Sequence, residues 1–177
     1  ILTFARLEAA REVVTPERIE LVPFLRECAT LIEPVARDKG LDFRLELLVE
    51  GVVLRTDPRK LRQILLNLLS NAVKFTDHGS VLLRAELEAG APVFRISDTG
   101  VGIAPEHAAL ILEPFWQAEQ PTTRRAGGAG LGLAVARRLG RMLGGDVELE
   151  TETGRGTTFT VRLPANLVVD PDTVLPD

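Results

Sequence analysis

The chain has 177 residues, 45% of them hydrophobic and 26% charged, which suits one globular core with room for a small appendage. A formal net charge of −4 argues against broad attraction to nucleic acid or anionic lipid, and no apolar run reaches the roughly 18 residues of a membrane span. Cys28 is the single cysteine, and His78 and His107 lie far apart, so a disulfide framework, a zinc site and a Ser-His-Asp triad all lack support.

Residues 1–14, "ILTFARLEAAREVV", have a helical pattern that starts with no cap before Ile1, as the end of a longer helix would, and break at Thr15-Pro16. No signal peptide opens the sequence. A second helix is expected from about Pro23 to Lys39, stopped by Gly40 and kinked or restarted at Pro34. "LDFRLELLV" then alternates like a strand, and "VVLRTD" is a shorter one. Asp57 ahead of Pro58 suits an N-cap followed by a first-turn proline, which opens a long helix ending near Phe75. "SVLLRAELEAG" and "APVFRISD" read as a hairpin around Glu88–Pro92.

A glycine turn at 100–102 follows, with a short helix from Pro105, then a polar, Gly-rich stretch from Gln117 to Gly130. The next helix should run from about Leu131 to Leu143 and close at Gly144-Gly145. Strands "DVELETE" and "TTFTVRLP" flank the turn "TGRG", and residues 167–177 read as a linker or frayed end. Helices mixed with hairpins predict an α/β fold, a two-layer sandwich of about three helices on a mixed sheet.

The stretch "LRQILLNLLSNAVKF", Leu61 to Phe75, carries polar residues that a plain core helix has no use for. At 100° per residue, Asn67, Asn71 and Lys74 fall within about 60° of one another, and Lys60, Gln63 and Ser70 widen the stripe. Apolar side chains from Leu61 to Phe75 cover most of the remainder. The stripe reads either as an ordinary solvated face or as amides with a task, since Asn is a poor helix former.

In "DTGVGI", Asp98 follows the apolar strand "VFRIS", which should set its carboxylate at the strand's end. There it can accept a hydrogen bond from an exocyclic amine, while Gly100 and Gly102 permit positive φ and close approach of a ligand. The same residues also suit a plain acidic turn. "GGAGLGLAVARRL", from Gly127, runs glycines straight into an amphipathic helix, either a hinge or a set of exposed N–H groups fit for phosphate. Its spacing is neither a P-loop nor a dinucleotide fingerprint. In "EPFWQAEQPTTRR", Phe115 and Trp116 suit a packed anchor for a mobile polar lid. Arg124 and Arg125 are either solvated or charge partners of a phosphate.

Taken in order, these stretches strongly resemble the catalytic, ATP-binding domain of sensor histidine kinases, of the Bergerat fold shared with DNA gyrase. "NLLSNAVKFT" is similar to that family's N box, "DTGVGI" to its first glycine box and "EPFWQ" to its F box. "GAGLGLAVAR" is similar to the second glycine box and "GRGTTFTVRLP" to the closing strand motif, so the likeness covers about Glu17 to Pro164. Ala126 and Ala129 depart from it, standing where an aromatic and a threonine are common.

The resemblance implies ATP and Mg²⁺ as cofactors. Asn71 would ligate the ion, Asn67 would support it or its waters, and Lys74 would contact phosphate. These three make the implied catalytic set. Phe75 would lie by the base or ribose, and Asp98 would accept from the N6 amine of adenine. The boxes also carry over Gly100, Gly102, Ile103, Phe115, Arg124, Arg125, Gly128, Gly130, Leu131 and Gly132 as nucleotide contacts. Where the gyrase-like ATPases usually have a general-base Glu, this chain has Asn67, which cannot remove a proton from water. Phosphoryl transfer to a protein side chain is therefore expected in place of hydrolysis.

The family's acceptor histidine lies on a dimerising helical hairpin with an acidic neighbour. Neither His78 in "DHGS" nor His107 in "PEHAAL" has that setting. Residues 1–14 are read as the end of the hairpin, 15–166 as the catalytic domain and 167–177 as a tail. The implied partners are the hairpin of a homodimeric parent and the receiver domain of a response regulator, with no nucleic acid or membrane contact and a cytoplasmic setting. The rival readings are an ATP-dependent switch and a degenerate, non-enzymatic partner-binding module.

Overall fold

The computed structural model describes residues 13–113 and 132–172. A mixed five-stranded sheet carries the domain, and each strand follows from its pattern. β2 (Asp42–Leu47) alternates, with Phe43, Leu45 and Leu47 packed against the core and Asp42 and Glu46 exposed. β4 (Ser80–Glu88) and β5 (Ala91–Asp98) form the expected hairpin, in register from Val81 opposite Asp98 to Glu88 opposite Ala91. β6 (Asp146–Glu152) and β7 (Gly156–Arg162) form a second hairpin. The order is β2-β4-β5-β7-β6, with β2 parallel to β4 and every other pair antiparallel.

Helices α1 (Leu21–Asp38), α2 (Pro58–Phe75) and α4 (Gly132–Met142) supply the other layer, and α3 (Pro105–Ala108) is a single short turn. α2 buries Leu61, Ile64, Leu65, Leu68, Leu69, Ala72 and Val73, a stripe at helical spacing, against the sheet and the other helices. Asp57 is its N-cap as the sequence predicts. Asp57 Oδ1 accepts from the backbone N–H of Arg59 at 3.0 Å and of Lys60 at 3.1 Å. α1 runs unbroken through Pro34, where a kink or restart is expected from the ring, and it starts at Leu21, ahead of Pro23. Among the described residues no helix is long and apolar enough to cross a membrane.

A second, small antiparallel sheet is built on the strand expected in "VVLRTD" and adds two strands the sequence did not suggest. β1 (Glu17–Glu20) and β8 (Val168–Val169) flank β3 (Val53–Thr56). Val168 and Val169 thus belong to the fold, although they fall in the segment expected to be a tail. A 3₁₀ turn at Ala165–Leu167 leads into them, and the Arg18 guanidinium donates to the carbonyls of Asp170 at 3.2 Å and Pro171 at 2.8 Å. Val13 and Val14 lie in no helix, and the rest of the helix expected over 1–14 falls outside the described residues.

The face of the large sheet turned away from the helices carries a row of ion pairs spanning all five strands. Glu46 on β2 meets Arg84 on β4 at 3.5 Å, and Arg84 meets Glu86 at 3.0 Å. Arg95 on β5 pairs with both Glu86 and Glu88, Arg162 on β7 also pairs with Glu88, and Arg162 reaches Glu148 on β6 at 4.0 Å.

Candidate functional site

The polar stripe of α2 survives folding in part. Asn67, Asn71 and Lys74 are all half-buried on a helix whose neighbouring apolar residues are buried. The Asn67 side-chain amide donates to the Gly132 carbonyl at 3.0 Å, which joins the middle of α2 to the first residue of α4. With that nitrogen engaged, Asn67 has its oxygen for an ion or its waters. The Lys74 ammonium stands 5.2 Å from the centroid of the half-buried Phe75 ring, within cation–π range.

Lys60 departs from the stripe. It is buried at the other end of α2, with its ammonium 3.5 Å from Asp57 Oδ2. Asp57 Oδ2 also accepts from the Thr15 backbone N–H at 2.9 Å. Burial would raise the Asp57 carboxyl, but the N–H groups of Thr15 and Lys60 and the Lys60 ammonium outweigh it and hold the group below its ordinary range. Helical periodicity alone cannot separate a buried, paired lysine from one facing a ligand.

Asp98 closes β5 as expected, paired across the sheet with Val81 on β4 and Thr157 on β7. Its Oδ1 accepts from the Gly100 N–H at 2.9 Å. Burial pushes the Asp98 carboxyl above its ordinary range, and the Gly100 and Thr157 N–H groups oppose that rise without cancelling it. A half-desolvated carboxylate held by neutral donors is a strong acceptor for a ligand N–H.

The two glycines after Asp98 have different reasons to be there. Gly102 has φ +68°, the left-handed conformation expected of it. The expected positive φ is absent at Gly100, where a Cβ would instead lie 2.4 Å from the Phe75 carbonyl and 2.9 Å from both Asp98 Oδ1 and Thr76 Oγ1. At Gly100 it is the chain's own backbone that comes close. Ile103 is fixed by its N–H, which donates to Thr151 Oγ1 at 2.8 Å, and Gly154 N–H donates to the Val101 carbonyl at 2.8 Å. These bonds stitch the turn to the β6–β7 hairpin.

Phe115, Trp116, Arg124, Arg125, Gly128, Gly130 and Leu131 lie outside the described residues. The sequence reading omitted Thr76 and Thr157, both buried beside Asp98. Alternation in "TTFTV" could have placed Thr157 opposite Asp98 once the strand register was known. Among the described residues no three His, Cys, Asp or Glu side chains gather as a metal site. The amide oxygens of Asn67 and Asn71 are neutral, so this donor set fits Mg²⁺ when phosphate oxygens supply the negative charge.

Residues 56–167 match the family of histidine kinase-, DNA gyrase B- and HSP90-like ATPases. The chain is 37% identical to the autoinducer 2 sensor kinase/phosphatase LuxQ of Vibrio cholerae, over 97% of this chain and 21% of that one. It is 36% identical to the circadian input-output histidine kinase CikA of Synechococcus elongatus, over 97% of this chain and 23% of that one. It thus spans about a fifth of these relatives' length. Among solved structures, full-length ShkA in complex with AMPPNP superposes with a TM-score of 0.83 at 39% identity, over 92% of this chain and 34% of that one. With the motifs in order, the mixed sheet and helices beneath them and the match over 56–167, the chain belongs to the histidine kinase-, DNA gyrase B- and HSP90-like ATPase family, on its sensor-kinase side.

Proposed function

We propose that this domain binds ATP with Mg²⁺ and donates the γ-phosphoryl group to a histidine on the dimerisation hairpin of a homodimeric sensor kinase. From there the group would pass to an aspartate of a response-regulator receiver domain. The observation that carries the reading is the convergence of Asp98 with the end of α2. A desolvated acceptor for a base amine abuts, through Gly100, the helix that bears Asn67, Asn71 and Lys74.

In this reading Asp98 accepts from the N6 amine of adenine, which discriminates against guanine, where a carbonyl occupies that place. Phe75 borders the base or ribose, and Lys74 balances phosphate charge. Asn71 and Asn67 would hold Mg²⁺, which when bound neutralises charge on the phosphates. Gly102 and Ile103 border the base, and Gly132 opens the helix at the phosphates. Phe115, Arg124, Arg125, Gly128, Gly130 and Leu131 take their nucleotide roles from the family boxes alone. Asn67 cannot serve as a general base, so its place in the site favours transfer over hydrolysis. Residues 15–166 would be the catalytic domain and 1–14 the end of the hairpin.

The test is incubation with γ-labelled ATP, with and without an added dimerisation hairpin from a related kinase. Acid-labile label on the hairpin histidine, and none on the domain alone, is the expected result. Labelling in trans should be slow, because tethering in the parent would raise local concentration to about the millimolar range. Label on His78 or His107 at a comparable rate would refute the assignment. Tight ATP binding with no labelled hairpin would point to an ATP-dependent switch.

A further inference from the structure

The last turn of α2 ends without the usual backbone cap. Its C-cap, Thr76, is extended, with φ −108° and ψ 113°, and no left-handed glycine folds back to cover the final carbonyls. Three of those four carbonyls nevertheless have a side-chain hydrogen-bond donor, and the fourth packs on a glycine. The Thr76 hydroxyl donates to Ala72 O at 2.8 Å. The Phe75 carbonyl abuts Gly100. The remaining two, Val73 O and Lys74 O, both accept from one ammonium, that of Lys39, at 2.8 Å each.

Lys39 is itself the C-cap of α1, ahead of Gly40 at φ +75°. Its own backbone N–H is tied to Val35 O at 3.3 Å, and Asp77 Oδ1 stands 3.7 Å from its ammonium. A cation at a helix C-terminus is favoured by the helix dipole, and here it also satisfies two orphan acceptors. The turn it fixes carries Lys74 and Phe75, and its next carbonyl forms one wall against Gly100, two residues beyond Asp98.

We propose that Lys39 is a positioning residue for the nucleotide site. It touches no nucleotide group in this reading; it holds the end of α2 so that Lys74, Phe75 and the Asp98–Gly100 turn keep their spacing. Asn67 and Asn71 lie further up the helix, within its regular hydrogen bonding, and do not depend on it. The inference rests on the ATP-binding reading of the site and adds a residue from a helix that none of the nucleotide motifs includes.

The split between the two ends of α2 gives the test. Lys39→Met removes the ammonium and keeps most of the stem, Lys39→Arg keeps two donors, and Lys39→Gln keeps a weaker neutral one. ATP·Mg²⁺ binding is measured by calorimetry, and ATP dependence of hairpin labelling by steady-state kinetics, both well below the melting temperature. Lys39→Met should weaken ATP binding and raise KM for ATP by about tenfold, while kcat changes less than about threefold, with Lys39→Gln between the two and Lys39→Arg near the parent protein. Parent-like ATP affinity in Lys39→Met would overturn the proposal, as would a fall in kcat as large as the rise in KM. Melting of both neutral variants below the assay temperature would also overturn it, because Lys39 would then hold the fold as a whole. Failure of the unsubstituted protein to bind ATP would instead refute the function proposed for the site, an outcome visible before any variant is made.

Discussion

Burial and the adenine contact proposed for it make opposite demands on the Asp98 carboxyl, and the conflict can be measured. Because burial raises its pKa in the fold, its contribution to stability is present below the ordinary carboxylate range and is lost as pH rises through the raised value. At neutral pH the ionised group therefore works against folding. Asp98→Asn should leave the melting temperature unchanged or raise it, yet weaken ATP binding by about 1.5–3 kcal/mol, the range for a hydrogen bond to a charged group. Calorimetry beside a thermal melt checks both halves. Asn71 presents the simpler case, a half-buried amide outside the core of α2. Asn71→Ala should abolish Mg²⁺-dependent labelling of the hairpin and leave the far-UV circular dichroism spectrum nearly as it was. Loss of the helical signal would mean that Asn71 serves a hydrogen-bond network of the fold.

At the scale of the elements, the ion-pair row on the open face of the sheet contributes to the acid response, beside the lowered Asp57 carboxyl. Hydrogen bonds from Arg162 and then Arg95 hold Glu88 down to about 2, against an ordinary value of 4.5. A lowered carboxylate stabilises the fold above its ordinary pKa, and that contribution fades as pH falls from 4.5 toward about 2. Glu88→Gln should flatten the decline of stability in that window, as read by denaturant unfolding at a series of pH values. The centre of the row is half-buried on a face open to solvent, so the difference should shrink in part in about 1 M salt, where the screening length falls to about 3 Å.

The larger elements were legible because each carries a full period of its pattern. The apolar stripe of α2, the alternation of β2 and the Asp57-Pro58 start signal all match the structure. β1 and β8 were not legible. "ERIE" has one apolar residue, and two valines make no period, so only the pairing with β3 turns either into a strand. The same limit applied to Lys60, whose position on the helix does not reveal the Asp57 carboxylate beside it.

For the whole molecule, the small sheet is where distant parts of the chain meet, with β3 pairing with β1 from near the start and β8 from near the end of the described residues. Ending the chain after Leu167 would remove β8 and the carbonyls that Arg18 engages. Such a truncation should cost about 1–4 kcal/mol, at ~0.5–1.5 kcal/mol for each Arg18 and ladder hydrogen bond lost, without changing ATP affinity. Urea unfolding and nucleotide titration of the shortened protein would show it. A matching drop in ATP affinity would instead tie the small sheet to the nucleotide site.

The order of the large sheet leaves β2 and β6 as its outer strands. An open strand is a template on which another chain can continue the sheet. On β6 the exposed side chains are Glu148, Glu150 and Glu152, so two copies aligned along that edge would set carboxylate against carboxylate. On β2 the exposed Asp42, Arg44 and Glu46 make the rim charged along its length, with Arg44 held to Asp42 at 2.6 Å. Both rims therefore disfavour self-templated fibre growth, so copies of this domain crowded together can sit close without their sheets fusing.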